Sequence, residues 1–175
     1  MKNLKRTAAC AVMIVLCFLL ETTVFRKLEL ASIIPNLLII VTSSFGFMRG
    51  KKEGLLIGFF CGLLKDVMIG QLLGLYALIY MVIGYGNGFF RSIFYDDDVK
   101  LPLSLIAASD LIYSLIVYVL LFLLQSDFNF SIYFRQVIMP ELVYTVLVSF
   151  GLYHVILFVN RRLEEEEKRS ASKFV

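Results

Sequence analysis

Apolar residues in this chain come in long blocks separated by short charged or glycine-rich breaks. Six blocks are legible, over residues 7–25, 33–48, 54–69, 72–90, 101–124 and 137–159. A helix needs roughly 20 apolar residues to cross a bilayer, and most of these blocks approach that length. The pattern predicts an all-α, polytopic transmembrane bundle of six helices as one domain over residues 1–160, with a charged tail over residues 161–175. Pro35 and Pro102 stand where the second and fifth spans begin, and proline fits the first turn of a helix. The third span is the most polar, because Lys65 and Asp66 lie near its end.

Composition agrees with the blocks. Hydrophobic residues make up 59% of the 175 and charged residues 18%, against about 45–50% and 25% in soluble domains. The first block follows Lys2, Lys5 and Arg6 as a signal peptide would, but a small-x-small cleavage site does not follow it. It reads as a retained helix.

Charge fixes the orientation. With six spans, one side receives Lys2, Lys5, Arg6, Arg49, Lys51, Lys52, Arg91, Lys100, Arg161, Arg162, Lys168, Arg169 and Lys173. The other side receives only Arg26, Lys27, Lys65 and Arg135. The positive-inside rule then places both termini in the cytoplasm. The net charge of +3 is explained by topology and gives no sign of nucleic-acid binding. Tyr95, Phe128, Phe130, Tyr133 and Phe134 sit at span ends, where amphipathic rings are favoured. In the tail, Glu164 and Lys168 are four residues apart, a spacing that supports a helix. The tail reads as a solvated extension of the last helix or as a docking segment.

Glycine supplies the strongest pattern. Gly46, Gly50, Gly54, Gly58 and Gly62 recur every four residues, Asp66 takes the next place, and Gly70 and Gly74 continue the series. Four residues turn a helix by about 400°, so Gly54, Gly58, Gly62 and Asp66 share one ridge. Ridges of small residues let helices approach closely in lipid. The neighbour is either another helix of this chain or a partner's membrane helix. A carboxylate inside a span is costly, so Asp66 is a candidate hot spot or, alternatively, a cap or pairing group between helices.

Glu21, Asp66 and Glu141 lie at similar depth near the outer ends of three spans. They form either a polar site open to the outside or three unrelated boundary residues. Asp110 lies near mid-depth, with Tyr113 and Ser114 close by, and is expected to hydrogen-bond inside the bundle. His154, alone on an apolar face, reads as a satisfied packing residue. Cys10, Cys17 and Cys61 all fall in apolar runs without paired spacing, so no metal site or cofactor is expected. No nucleophile–base pair or phosphate-binding loop is visible, and Gly84, Gly86 and Gly88 lack the preceding strand that such a loop needs.

Taken together, three stretches resemble the MreD family of rod shape-determining proteins. They are Pro35, Asn36, Leu37 and Leu38; then Gly54, Gly58, Gly62 and Asp66; then Gly70 with Gly74, Ala77 and Leu78. The family has a Pro-Asp/Asn-Leu-Leu start to its second span, a glycine-rich third span ending in Gly-Leu-x-x-Asp, and a Gly-x-x-Ala-Leu start to its fourth. Asn36 stands where aspartate is common. The resemblance implies a non-enzymatic, multi-pass scaffold of the bacterial cytoplasmic membrane. It implies contact with MreC through that protein's membrane helix, with the MreB filament, and indirectly with a RodA-type glycosyltransferase and a class B transpeptidase of peptidoglycan synthesis. It also implies a fold like the S components of energy-coupling-factor transporters. The contrasting reading is a small transporter or substrate-binding subunit using Glu21, Asp66 and Glu141.

Overall fold

In the computed structural model, residues 2–27, 33–69, 74–93, 100–124 and 130–172 are described; Gly70, Tyr95 and Phe128 lie outside them. The chain runs α1 (Lys2–Leu19), α2 (Leu37–Arg49), α3 (Lys51–Ile69), α4 (Leu75–Asn87), α5 (Lys100–Leu124), α6 (Phe130–Tyr133) and α7 (Met139–Ser172). A π-helical segment, Leu20–Phe25, prolongs α1, and a 3-10 turn, Gly88–Ile93, follows α4. A second π segment, Phe134–Ile138, joins α6 to α7 without a break. It ends two residues before Pro140, which lacks the N–H that the preceding turn would otherwise use.

Among the described residues, three stretches are long and apolar enough to cross a membrane: Arg6–Phe25, Lys100–Leu120 and Phe130–Glu165. The remaining three helices are different in kind. α2 and α4 have 13 residues each, and α3 carries Lys51, Lys52, Glu53, Lys65 and Asp66. The last helix is longer than the expected 137–159, starting at Phe130 and continuing through the charged tail to Ser172.

α2 is the central post. Every residue from Leu37 to Arg49 is buried, and the helix touches α1, α3, α4, α5 and α7. A helix apolar on all sides has no solvent face to present, so it sits in the middle. Its polar residues Thr42, Ser43 and Ser44 are small enough to be enclosed with it, and Arg49, at its end, is buried against Asn160. The surface, by contrast, is apolar: Val12, Leu16, Leu19, Val143, Leu147 and Phe158 are all exposed. Large exposed apolar areas of this kind belong against lipid or another membrane segment.

Pro35 corrects its expected position. α2 begins at Leu37, and its cap is Asn36, whose Oδ1 accepts from Ile39 N at 3.3 Å. Pro35 therefore precedes the helix, in line with asparagine's preference for the cap.

Candidate functional site

The glycine ridge lies against α4 of the same chain. A Cβ on Gly54 would collide with the Gly84 carbonyl, one on Gly58 with the Tyr80 carbonyl, and one on Gly62 with the Ala77 backbone. Gly46, on α2, would place a Cβ 2.7 Å from the same Gly84 oxygen. The two backbones thus meet at distances that only glycine permits. Gly84 is matched to Gly54 from the other side, and Gly88 to Lys51. This use of the Gly84–Gly88 stretch escapes a reading centred on phosphate loops. Gly50 turns the chain between α2 and α3 at φ +100°, a conformation that favours glycine.

Asp66 closes the far end of this hairpin. It is 1% exposed, and its two oxygens accept three backbone N–H groups of the next helix. Oδ1 takes Tyr76 N at 2.9 Å, and Oδ2 takes Gly74 N and Ala77 N, each at 3.0 Å. The first N–H groups of any helix lack partners inside it, and its N-terminus carries partial positive charge. Gly74 is the cap position of α4, at φ +99°, and has no side chain with which to cap. A carboxylate from α3 performs that task. The aspartate of α3 and the glycine that caps α4 are thereby one device.

Glu21 plays the corresponding part for α2. It is buried, its Oε2 accepts Leu38 N at 3.2 Å, and its Oε1 pairs with Lys65. It emerges from the π segment that ends α1, where Thr22 donates to the Phe18 carbonyl at 2.8 Å. Lys65, one residue before Asp66, points away from it and supplies Glu21's counter-charge.

The expected set of Glu21, Asp66 and Glu141 is therefore rearranged. Glu21 and Glu141 share an electrostatic neighbourhood with Asp110 and Lys65, while Asp66 is turned to α4. Asp110 is fully buried, and its hydrogen-bond partners are the side chains of Thr145 and Asn36, in looser geometry than the backbone donors give Asp66. At this position side chains, not backbone N–H groups, are the partners. Around it, Tyr80 donates to Asn36 Oδ1 at 2.7 Å, and Asn36 N donates to Thr145 Oγ1 at 3.1 Å. Tyr113 packs against Tyr80, with ring centroids 5.4 Å apart, on the same side. This part of the bundle thus holds two buried polar regions: one around Asp66 bonded to backbone N–H groups, one around Asp110 met only by side chains.

Further polar ties join helices that sequence spacing alone leaves unconnected. Asn87 Nδ2 donates to Ser109 Oγ at 2.7 Å, linking α4 to α5. At the opposite end, Arg49 Nε donates to Asn160 Oδ1 at 2.6 Å, and Asn160 Nδ2 to Glu164 at 2.9 Å. Arg6 pairs with Glu53 at 2.6 Å. These three sets join α4 to α5, α2 to α7, and α1 to α3, at positions the chain separates widely. His154 corrects its expected role: it is exposed, not packed. Among the described residues, no group of three or more His, Cys, Asp or Glu side chains is placed to hold a metal ion, and all three cysteines are free.

Lipid-length helices around a wholly buried post, with carboxylates capping helix ends, define a helical membrane-protein bundle. The chain belongs to the MreD family: the profile described as rod shape-determining protein MreD matches residues 1–161. That membership assigns it a role in rod shape determination. Neither the curated proteins nor the solved structures contain a match to the chain.

Proposed function

We propose that this protein is a non-enzymatic scaffold of the bacterial cell-elongation complex. In this reading six helices cross the cytoplasmic membrane, both termini face the cytoplasm, and the fold resembles a transporter S component. The scaffold binds the membrane helix of MreC and so supports peptidoglycan synthesis guided by MreB, through a RodA-type glycosyltransferase and a class B transpeptidase. The observation that carries the reading is how the buried charges are used. Asp66 and Glu21 cap α4 and α2, and Arg49 ties α2 to α7. Groups held so firmly position helices and leave the broad apolar outer faces of α1 and α7 for partners. Depletion in a rod-shaped host, followed by complementation, tests it. Rounding of cells on depletion, rescue by the intact chain and co-purification of MreC are expected. Normal rods after complete depletion would sink the scaffold reading.

One observation favours a second reading, a small transporter or S-type subunit. Asp110, Glu141, Glu21 and Lys65 gather ionisable side chains in one buried region. Native mass spectrometry of the purified protein, with uptake assays in a deletion strain, separates the two. A bound small molecule lost in Asp110→Asn supports transport; a ligand-free protein and normal uptake remove it.

A further inference from the structure

α7 presents an exposed stripe containing Leu147, Gly151, His154, Val155 and Phe158. One member is out of place among apolar side chains. His154 Nδ1 lies 2.7 Å from the Phe150 carbonyl of its own helix. A carbonyl can only accept, so Nδ1 carries the hydrogen. In the neutral ring Nε2 is then a bare acceptor on an exposed side chain. His154 lies seven residues before Arg161, roughly 10 Å deeper at the helical rise. At that depth hydrocarbon offers no donor, and an unmatched polar atom there is unfavourable. Whatever covers the stripe must bring an N–H or O–H. Gly151, three residues earlier, leaves room for it: a Cβ built there meets nothing within 4 Å.

We infer that this stripe of α7 seats the transmembrane helix of a partner, which places a Ser, Thr, Asn or Gln side chain as donor to His154 Nε2. The inference rests on the scaffold reading and assigns its contact face. A second copy of this chain fits less well. Two-fold pairing of the stripe would set one Nε2 acceptor against another, and Leu147, Gly151, Val155 and Phe158 offer no side-chain donor. Lipid acyl chains offer none at all.

The test uses the full chain co-expressed with MreC in membranes, carrying a photoreactive residue at Leu147 or Val155, with Val82 on the exposed face of α4 as control. Crosslinks to the membrane helix of MreC from positions 147 and 155, and none from 82, are expected. His154→Leu should lower recovery of MreC by about three- to tenfold, the range of one interhelical hydrogen bond. His154→Gln, whose amide oxygen still accepts, should stay within about twofold of wild type. Gly151→Leu should abolish the crosslink by filling the gap. Crosslinks between two copies, crosslinks to lipid only, crosslinks from position 82, or unchanged recovery in His154→Leu each overturn the inference. Should MreC be recovered while the crosslinks map elsewhere, only the face is wrong. Should wild type recover no MreC, the scaffold reading fails and the inference falls with it.

Discussion

Asp66 and Asp110 are both buried aspartates among helices in one bundle, and their surroundings are opposite. Asp66 receives three backbone N–H groups at 2.9–3.0 Å; Asp110, 0% exposed, is met only by the side chains of Thr145 and Asn36, in looser geometry. The α3–α4 hairpin around the first is built to its carboxylate, with glycines drawing the helices together until α4 begins where Asp66 can cap it. The α5–α7 seam around the second is built from tyrosines, Thr145 and further acids, and offers side-chain partners only, Thr145 and Asn36. Burial alone does not assign a role to an acid in a membrane protein. The donors within reach do, because a carboxylate bonded to backbone N–H groups is strongly held, while one met only by loosely placed side chains keeps more of its desolvation penalty.

The hairpin side of the contrast predicts the largest effect. Gly58→Leu drives a side chain into the Tyr80 backbone, which cannot yield without separating α3 from α4. Loss of folded protein is expected, seen as disappearance of the monodisperse peak in detergent; a well-folded Gly58→Leu protein would mean that the helices are not locked. Next comes Glu21→Gln. It removes Lys65's counter-charge and weakens the cap on Leu38, at a cost of about 1–3 kcal/mol in denaturant titration. A cost this size would place the α1–α2 junction with the hairpin; no cost would place it with the seam. Asn87→Ala removes the donor to Ser109 and should cost about 1 kcal/mol, since α4 and α5 keep their apolar contact. Smallest is Arg6→Ala. Its pair with Glu53 is partly exposed, 29% and 25% at the two side chains, and pairs of that kind contribute within about 1 kcal/mol. A larger effect would show that the α1–α3 cleft holds more than a peripheral tie.

Much of the hairpin was legible before any coordinates. The four-residue glycine period named the contact face of α3, and the position of Asp66 on that ridge made capping one of its two readings. Which helix fills the ridge was not legible, because spacing gives a face but not its neighbour. The outer acids show the same limit. Depth along a helix placed Glu21, Asp66 and Glu141 together, but depth carries no azimuth, and Asp110 replaces Asp66 around Lys65. Pro35 was misplaced by one cap residue because Asn36, the stronger signal, was read only as part of a family motif. His154 was assigned to packing on frequency, although residues 147, 151, 154, 155 and 158 form a single outward stripe at helical spacing. The ties at Asn87 and Arg49 had no sequence signal at all, since each joins residues far apart in the chain.

The contrast between the two aspartates is tested most directly by replacing each with asparagine in otherwise intact protein and comparing unfolding in mixed micelles. Asn keeps the shape but removes the charge that holds three backbone donors at position 66 and that meets only loosely placed side chains at position 110. Asp66→Asn should lose roughly 2–4 kcal/mol, and Asp110→Asn should stay within about 0.5 kcal/mol of wild type or gain stability. A stable Asp66→Asn beside a strongly destabilised Asp110→Asn would contradict the account, placing the structural carboxylate in the α5–α7 seam instead of the glycine-locked hairpin.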